Sequence, residues 1–337
     1  MSKTHRAAVV GAGAWGTALA ALLAKRGHDV TLWSFEPEVA DAVNQRHENP
    51  YLDGADLPEQ LRATTSLADC LSGASLIVSV SPSQFVRSVM SEAAPHVAAD
   101  ALVVSASKGL ELSSLLRMDE VLDQILPASV MDRFCVLSGP SFASEVAAES
   151  PTAVVIAGRT AAAATSAQEA FQTPYFRAYT NTDLIGVELG GSLKNVMALA
   201  SGIAAGLGYG HNTLAAVITR GLAEMTRLGV AMGAETTTFP GLAGMGDLVL
   251  TCTGSLSRNR TVGFRLGQGE TLDQILADMK AVAEGVKTAE AARELAVRHR
   301  VEMPIVEQVF QIVHEGKSPA DALRELMLRA PRPEEWS

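Results

Sequence analysis

The chain has few cysteines and no visible export signal, and each of these shortages argues against a class of protein. Its three cysteines, Cys70, Cys135 and Cys252, form no CxxC pair and cannot all be bridged within the chain, which indicates a reducing compartment. The N-terminus runs directly into an apolar strand pattern, with no room for the basic, apolar and cleavage regions of an export signal. We therefore expect a cytoplasmic protein.

Long apolar segments and excess positive charge are also missing. The most apolar stretch, residues 196–210, is rich in glycine and ends in polar residues, whereas a membrane span needs about twenty apolar residues. A net charge of −10 argues against a nucleic-acid partner. It still permits a local basic pocket, because a small anionic substrate responds to the few cations around it. The content of 47% hydrophobic and 19% charged residues is typical of a soluble globular protein.

The pattern of apolar residues changes near the middle of the chain. Six short β-branched runs alternate with helical stretches in the first half: residues 6–10, 29–33, 76–80, 101–106, 134–139 and 152–157. From about Asp183 onward, long helical segments rich in Ala, Gly and Leu follow without a convincing strand. The sequence predicts an α/β protein: an N-terminal Rossmann-type doubly wound sheet in residues 1–189 and an all-α C-terminal domain in residues 190–337. The apolar helices would allow a homodimer, although such stripes are more often plain core.

A glycine-rich loop follows the first predicted strand. Gly11, Gly13 and Gly16 have the G-x-G-x-x-G spacing and precede an amphipathic helix. In this context the first glycine permits a tight turn, the second lets the backbone approach a pyrophosphate, and the third allows close packing of helix on strand. The helix N-terminus then offers N–H groups to the phosphates. We predict a dinucleotide site, because a ligand-free turn would not need this combination.

Three further residues bear on the cofactor. Trp15, expected to be exposed at the start of the helix, would either cover the cofactor or cap the core. Glu36 stands twenty positions after Gly16, where an acid accepts hydrogen bonds from the adenosine ribose of NAD. The neighbouring Phe35 lacks the basic group that NADP-selecting sites usually supply. The sequence favours weak discrimination between NAD(H) and NADP(H), with a slight preference for NAD.

Lys194 is the most unusual residue of the second half, because it lies in a small, apolar helical stretch. Its helical neighbours are Gly190, Gly191, Met197 and Ala198, so no local carboxylate pairs with it. The lysine must reach solvent by snorkelling, find a distant partner or carry out chemistry.

Other loops supply groups that such a lysine could work with. Lys108 and Gly139 each follow a predicted strand, where loops of an open sheet line a ligand crevice. Asp247 is either a helix N-cap or a partner for a buried cation. Residues 257–260, Ser-Arg-Asn-Arg, combine hydroxyl, amide and guanidinium donors that match a phosphate group. Each of these motifs taken alone is also what an ordinary loop or turn looks like.

Seven segments form a set when they are considered together: GAGAWGTALA, ASKGLE, SGPSFASEV, GGSLKNVMALASG, TRGLAEMTRLG, GLAGMGDLVLTCTGSLSRNR and VAEGVKT. In order and approximate spacing they resemble the bacterial type of NAD(P)-dependent glycerol-3-phosphate dehydrogenase. The resemblance covers essentially the whole chain. Its lysine-asparagine and Ser-Arg-Asn segments are far more specific than the glycine loop. The family usually makes the glycerol phosphate of membrane lipids.

The resemblance implies roles for individual residues. Lys194 matches the proton donor and acceptor. The positions that match substrate contacts are Lys108, Gly139, Ser141, Lys194, Asn195, Asp247, Ser257, Arg258 and Asn259. Those that match cofactor contacts are Gly11, Gly13, Ala14, Trp15, Gly16, Phe35, Glu36, Lys108, Ala143, Arg258, Val282 and Glu284. No metal is implied. Phe35 departs from the family pattern, because many members carry Arg or His there, and this leaves the choice between NAD and NADP open.

The reaction that the resemblance implies explains the buried lysine. Hydride transfer to dihydroxyacetone phosphate builds negative charge on the carbonyl oxygen, and an ammonium group stabilises and then protonates that oxygen. We expect burial and Lys108 to lower the pKa of Lys194, and Asp247 to raise it again. Gly190 and Gly191 would leave room for the substrate beside the lysine.

Two other functions compete with this one. A related two-domain dehydrogenase for 6-phosphogluconate or a 3-hydroxyacid also uses a lysine and an asparagine on a long helix, but the arginine cluster favours a small phosphorylated triose. A non-catalytic sensor of nicotinamide cofactor needs the glycine loop, yet it has no use for a buried lysine. Turnover with dihydroxyacetone phosphate distinguishes all three.

Overall fold

The computed structural model describes residues 4–279, 283–331 and 333–334. The chain divides into two compact units. The first comprises Met1–Ser192 and Met232–Asp247, and the second comprises Leu193–Ala231 and Leu248–Ser337.

A single eight-stranded sheet forms the centre of the first unit, as far as the chain is described. Its strands are β1 (Arg6–Val10), β2 (Asp29–Trp33), β3 (Arg62–Thr64), β4 (Leu76–Ser79), β5 (Leu102–Ser105), β6 (Phe134–Ser138), β7 (Thr152–Gly158) and β8 (Phe176–Asn181). All six predicted strands are confirmed. Strands β3 and β8 were not predicted, because β3 has three residues and β8 mixes apolar with charged and polar side chains.

The strand order is β3-β2-β1-β4-β5-β6-β7-β8. Neighbouring strands are parallel except for the antiparallel pair of β6 and β7. Strand β1 pairs with β2 on one side and β4 on the other, so the chain reverses its direction of winding at β1. Ligands of open α/β sheets bind at the carboxyl end of such a switch point, and this is where the glycine loop begins.

Helices cover both faces of the sheet. They are α1 (Ala14–Lys25), α2 (Pro37–Arg46), α3 (Leu67–Leu71), α4 (Ser83–Ala93), α5 (Met118–Asp123), α6 (Ala128–Met131), α7 (Ala143–Ala147) and α8 (Ala161–Phe171). Alternate residues of β1 enter different cores: Ala7 and Val9 pack with α1 and α8, whereas Ala8 and Val10 pack with α3 and α4. This two-sided burial explains the nearly continuous apolar runs of the central strands, and it confirms the predicted fold class.

Every regular element that the structure describes in the second unit is a helix. Helix α9 (Leu184–Gly206) begins in the first unit and ends in the second. The helices that follow are α10 (His211–Ala231), α11 (Asp247–Thr253), α12 (Arg258–Gly267), α13 (Leu272–Ala277), α14 (Glu284–His299), α15 (Pro304–Glu315) and α16 (Pro319–Met327). Among the helices that the structure describes, none has the length and apolar character needed to cross a membrane.

Glycines bring α9 and α12 into backbone contact. A Cβ atom at Gly202 would overlap the Arg260 carbonyl oxygen, and one at Gly263 would overlap the Leu199 carbonyl oxygen. These helices therefore approach more closely than side chains would allow.

Candidate active site

The glycine loop has a different local reason for each glycine. Gly11 has a φ of +131°, and a Cβ atom there would lie 2.9 Å from Ser81 N. A Cβ atom at Gly16 would overlap the Gly11 carbonyl oxygen. At Gly13, by contrast, a Cβ atom would meet no described atom within 4 Å. The loop is thus packed at its first and third glycines and open at its second.

The N-terminus of α1 behind this loop suits an anion. Its N-cap residue, Gly13, supplies no side-chain hydrogen bond, and the first turn contains no acidic residue. The first N–H groups of the helix and its dipole are therefore available to a phosphate. The open side of Gly13 and this helix N-terminus fit a dinucleotide pyrophosphate.

Trp15 faces the interior more than the sequence suggested. It is partly buried and packs against the core that contains α1, so the expectation of an exposed side chain is wrong. Its indole Nε1 is buried and donates no hydrogen bond to any described residue. The ring therefore packs on the core, and its role as a cofactor contact stays a prediction. Ala14, its neighbour at the start of α1, packs against the same core.

Glu36 lies just beyond β2, within reach of Tyr51. The Tyr51 hydroxyl donates a hydrogen bond of 2.7 Å to Glu36 Oε1, and this bond raises the pKa of Tyr51. Asn49 connects the same segment to the glycine loop, because its amide donates to the Ala12 carbonyl at 3.0 Å and its Oδ1 accepts from Tyr51 N at 2.9 Å. Phe35 is 84% exposed. Asn49 and Tyr51 were missed from the sequence, where only the Asn-Pro turn marked them.

Lys108 and Asp247 form an ion pair in the first unit. Lys108 Nζ lies 2.6 Å from Asp247 Oδ2, and the Asp247 side chain is 2% exposed. The ammonium also donates to the Gly139 carbonyl at 3.2 Å. The Ser141 hydroxyl donates to that same carbonyl at 3.0 Å. Four predicted substrate residues are therefore brought together, and Asp247 acts as a cation partner at the start of α11.

Gly190 and Gly191 serve packing, which differs from the expectation that they leave room for substrate. A Cβ atom at Gly190 would lie 2.6 Å from the Ala243 carbonyl oxygen. One at Gly191 would lie 2.6 Å from Ser138 Oγ. Both glycines are required because protein atoms occupy the space that a side chain would need.

Lys194 is 6% exposed in the middle of α9. Its Nζ donates a hydrogen bond of 2.8 Å to Thr251 Oγ1, and Thr251 is itself buried on α11. The sequence singled out Asp247 as the partner of Lys194, and that pairing stays a prediction. Thr251 was missed, because a threonine within the run LVLTC has no distinguishing signal.

Asn195, the residue after Lys194, is hydrogen-bonded to a second asparagine of the same unit, Asn259. Asn259 Nδ2 donates to Asn195 Oδ1 at 3.0 Å, and Asn259 Oδ1 accepts from Gly285 N at 2.9 Å. Three helices, α9, α12 and α14, are connected in this way. The Ser257 hydroxyl caps α12 by accepting a hydrogen bond from Arg260 N at 3.2 Å. The predicted substrate residues 257–259 therefore form the N-terminus of α12.

The remaining predicted residues are more scattered. Arg258 is exposed at the first position of α12. Ala143 begins α7, which packs against α1, and Glu284 begins α14. Val282 lies outside the described residues. Within the described chain, no group of three or more His, Cys, Asp or Glu could hold a metal ion.

The doubly wound sheet and the glycine loop at its switch point define a dinucleotide-binding protein. Sequence models of the N-terminus and C-terminus of NAD-dependent glycerol-3-phosphate dehydrogenase match residues 6–164 and 183–324. The chain belongs to this family.

Individual relatives agree over nearly the whole length. The glycerol-3-phosphate dehydrogenase of Geobacter metallireducens, of the NAD(P)+ type, is 58% identical over 97% of this chain and 98% of its own. That of Streptomyces avermitilis is 52% identical over 99% of both chains. The crystal structure of glycerol-3-phosphate dehydrogenase from Coxiella burnetii is 40% identical, with a TM-score of 0.91 over 97% of this chain and 99% of that one.

Proposed function

We propose that this protein reversibly reduces dihydroxyacetone phosphate to sn-glycerol 3-phosphate with NAD(H) or NADP(H), and that Lys194 is its proton donor and acceptor. The observation that carries the proposal is the buried Lys194 ammonium on α9, whose Nζ donates a hydrogen bond to the Thr251 hydroxyl. Burial of an ammonium costs free energy of desolvation, which favours a chemical role for this lysine.

The bound cofactor supplies the hydride in the reductive direction. As hydride reaches the carbonyl carbon, negative charge develops on the carbonyl oxygen. The Lys194 ammonium stabilises this charge and then donates a proton from Nζ. In the oxidative direction the neutral amine accepts the hydroxyl proton. Thr251 fixes the position of Nζ, because its hydroxyl accepts one of the three ammonium hydrogens.

The other substrate residues bind and orient. Ser257, Arg258 and Asn259 surround the N-terminus of α12, where a guanidinium, an amide and helix N–H groups suit phosphate oxygens. Asn195 supports Asn259 through its amide. Lys108, with Gly139, Ser141 and Asp247, forms the second group of substrate contacts, and binding energy from both groups orients the reacting carbon.

The cofactor is assigned to the glycine loop and the residues around it. In this proposal residues 1–189 are the dinucleotide-binding domain and residues 190–337 the substrate-binding and catalytic domain. The proposed contacts of the cofactor are Gly11, Gly13, Ala14, Trp15, Gly16, Phe35, Glu36, Lys108, Ala143, Arg258, Val282 and Glu284. Glu36 gives a slight preference for NADH, because its carboxylate suits ribose hydroxyls better than a 2′-phosphate.

We also propose that the protein acts in the cytoplasm. Three buried cysteines that carry thiols suit the cytoplasm, and the product would supply glycerophospholipid synthesis. A homodimer is also proposed, and its test is the mass measured by light scattering.

A substrate panel tests the reaction. We expect oxidation of NADH with dihydroxyacetone phosphate and little with dihydroxyacetone, because the latter lacks the phosphate group. Arg258→Ala should raise KM for the phosphorylated substrate strongly, whereas Arg298→Ala on exposed α14 should not. Turnover with 6-phosphogluconate or a 3-hydroxyacid instead would favour a sibling enzyme. Tight cofactor binding with no turnover would favour a sensor.

A further inference from the structure

One turn of α9 holds both ends of the segment that follows Lys108. The Ser192 hydroxyl accepts a hydrogen bond of 3.0 Å from Gly109 N. The Glu188 carboxylate accepts one of 3.0 Å from Asp119 N. The same Ser192 hydroxyl donates to the Glu188 carbonyl at 2.8 Å. Because residues four apart lie on the same side of a helix, a single helical turn fixes two backbone N–H groups of this segment.

The backbone next to Lys108 has little freedom. Gly109 is buried with a φ of +134°, and a Cβ atom there would lie 2.5 Å from Ser83 Oγ at the start of α4. The Lys108 stem passes close to the same turn of α9, since a Cβ atom at Gly191 would lie 3.8 Å from Lys108 Cγ. Helices α9 and α4 therefore fix the backbone and the stem of Lys108, and Asp247 holds its ammonium group.

A buried charged cluster supports the other end of the segment. Arg117 Nε lies 3.1 Å from Asp119 Oδ1 and 3.4 Å from Glu188 Oε2. Glu120 is the other acid beside this guanidinium, at 3.4 Å. Burial, together with the charge of Asp119, raises the pKa of Glu188 well above its ordinary value. Burial alone would raise the pKa of Asp119. The hydrogen bond that Asp119 makes with Glu188 and the charge of Arg117 outweigh burial, so the pKa of Asp119 is lowered.

The hydrogen bond that Glu188 accepts identifies a conservative replacement. Glu188 Oε1 is the acceptor for Asp119 N. Glutamine has the same shape and keeps that oxygen. Methionine has a similar length but removes the acceptor.

We infer that Ser192 and Glu188 are positioning residues for Lys108, acting through the Gly109 and Asp119 N–H groups. In this inference the two residues act on the backbone of the Lys108 segment and not on the substrate. The inference rests on the proposed role of Lys108 in binding substrate. Ser192 and Glu188 differ in this respect from ordinary core residues, because their substitution should affect the reaction only through the position of the Lys108 side chain.

A double-mutant cycle tests this directly. Ser192→Ala leaves the buried Gly109 N–H without an acceptor, and we expect kcat/KM for dihydroxyacetone phosphate to fall about tenfold. Most of that change should appear in KM. In a Lys108→Met background the same substitution should change kcat/KM by less than about twofold, because coupled residues are not additive.

A matched serine provides the control. Ser201 lies on the same helix, is equally buried, and donates to the Ala198 and Cys252 carbonyls. Ser201→Ala removes a buried hydroxyl without touching the Lys108 segment, so any effect it has should be the same in both backgrounds.

The outcomes separate the inference from the proposed function. Equal losses from Ser192→Ala with and without Lys108 would overturn the inference alone. A Lys108→Met variant with unchanged kcat/KM would overturn the proposed role of Lys108 and the inference with it.

Glu188 variants test the inference even if Ser192→Ala does not fold. Glu188→Gln should stay within about twofold of the wild type, whereas Glu188→Met should reproduce the Ser192→Ala loss and its dependence on Lys108. Equal effects of Gln and Met would contradict the inference.

Discussion

Lys108 Nζ lies 2.6 Å from Asp247 Oδ2, although 139 positions separate the two residues in the chain. The carboxylate is almost completely buried, and the ammonium is 17% exposed on its side chain. A pair in these surroundings holds its geometry firmly, because either partner alone would be a poorly solvated charge.

Removal of the Asp247 charge should therefore misplace the Lys108 ammonium. For Asp247→Asn we expect kcat/KM for dihydroxyacetone phosphate to fall by at least about tenfold, because small displacements of positioning groups are costly. The Kd for NADH should change much less, because Lys108 is one of many proposed cofactor contacts. The matched control is Asp321→Asn, which removes the carboxylate of the exposed pair with Arg324. Unchanged kinetics in Asp247→Asn would contradict the account of this pair.

Glycine substitutions separate packing from cofactor binding in the glycine loop. Gly16→Ala places a methyl group against the Gly11 carbonyl oxygen, so its free energy of unfolding should fall by about 1–3 kcal/mol. Gly13→Ala meets no described atom and should unfold like the wild type, yet its Kd for NADH should rise. Thermal unfolding and NADH titration measure the two effects. Equal NADH affinity in Gly13→Ala would place the pyrophosphate elsewhere.

Glu36 should influence the choice between NADH and NADPH. Glu36→Gln removes the carboxylate charge that repels a 2′-phosphate, and we expect the kcat/KM ratio of NADPH to NADH to rise about tenfold. Glu38→Gln, on the exposed side of α2, is the control. A ratio that changes equally in both variants would show that Glu36 makes no specific contact with the ribose. Tyr51→Phe should move the ratio in the same direction but less, because the Glu36 carboxylate keeps its charge and loses the hydrogen bond that fixes its position.

Glu224 should make stability depend on pH. It is buried on α10 and accepts hydrogen bonds from Ile305 N and Val306 N at the start of α15. Burial raises its pKa from 4.5 to about 7. Because this pKa is higher in the folded state, its contribution is complete below pH 4.5 and is lost as the pH rises toward 7, by at most about 1.4 kcal/mol per pH unit.

The comparison with Glu224→Gln isolates this effect. The amide does not titrate, so the variant should gain stability relative to the wild type as the pH rises from about 5 to about 7.5. Urea unfolding at several pH values measures the difference. A constant difference across that range would mean that Glu224 is ionised throughout.

The sequence predicted the parts of this molecule that depend on local patterns. Six strands were readable because their β-branched runs are buried on both faces, and the spacing of Gly11, Gly13 and Gly16 marked the loop. Contacts made only by tertiary approach were not readable. Gly109 and Ser192 are 83 positions apart, and Tyr51 reaches Glu36 through a turn whose direction the sequence does not specify.

Some expectations failed for the same physical reason. Gly190 and Gly191 were interpreted as space for a substrate, but their neighbours are the Ala243 carbonyl and the Ser138 hydroxyl. Trp15 was expected to be exposed, but it packs inward. In both cases the residue type showed that the position was special. The residues that pack against it lie in a distant part of the chain, which no local pattern identifies.

Proton transfer by Lys194 can be followed in a single assay. Absorbance of the reduced nicotinamide is followed after NADH and dihydroxyacetone phosphate are mixed with the wild type, with Lys194→Ala and with the surface control Lys25→Ala. We expect rapid oxidation with the wild type and the control. Lys194→Ala should still bind NADH but lose kcat by at least about a hundredfold. Near-normal turnover by Lys194→Ala would contradict the account.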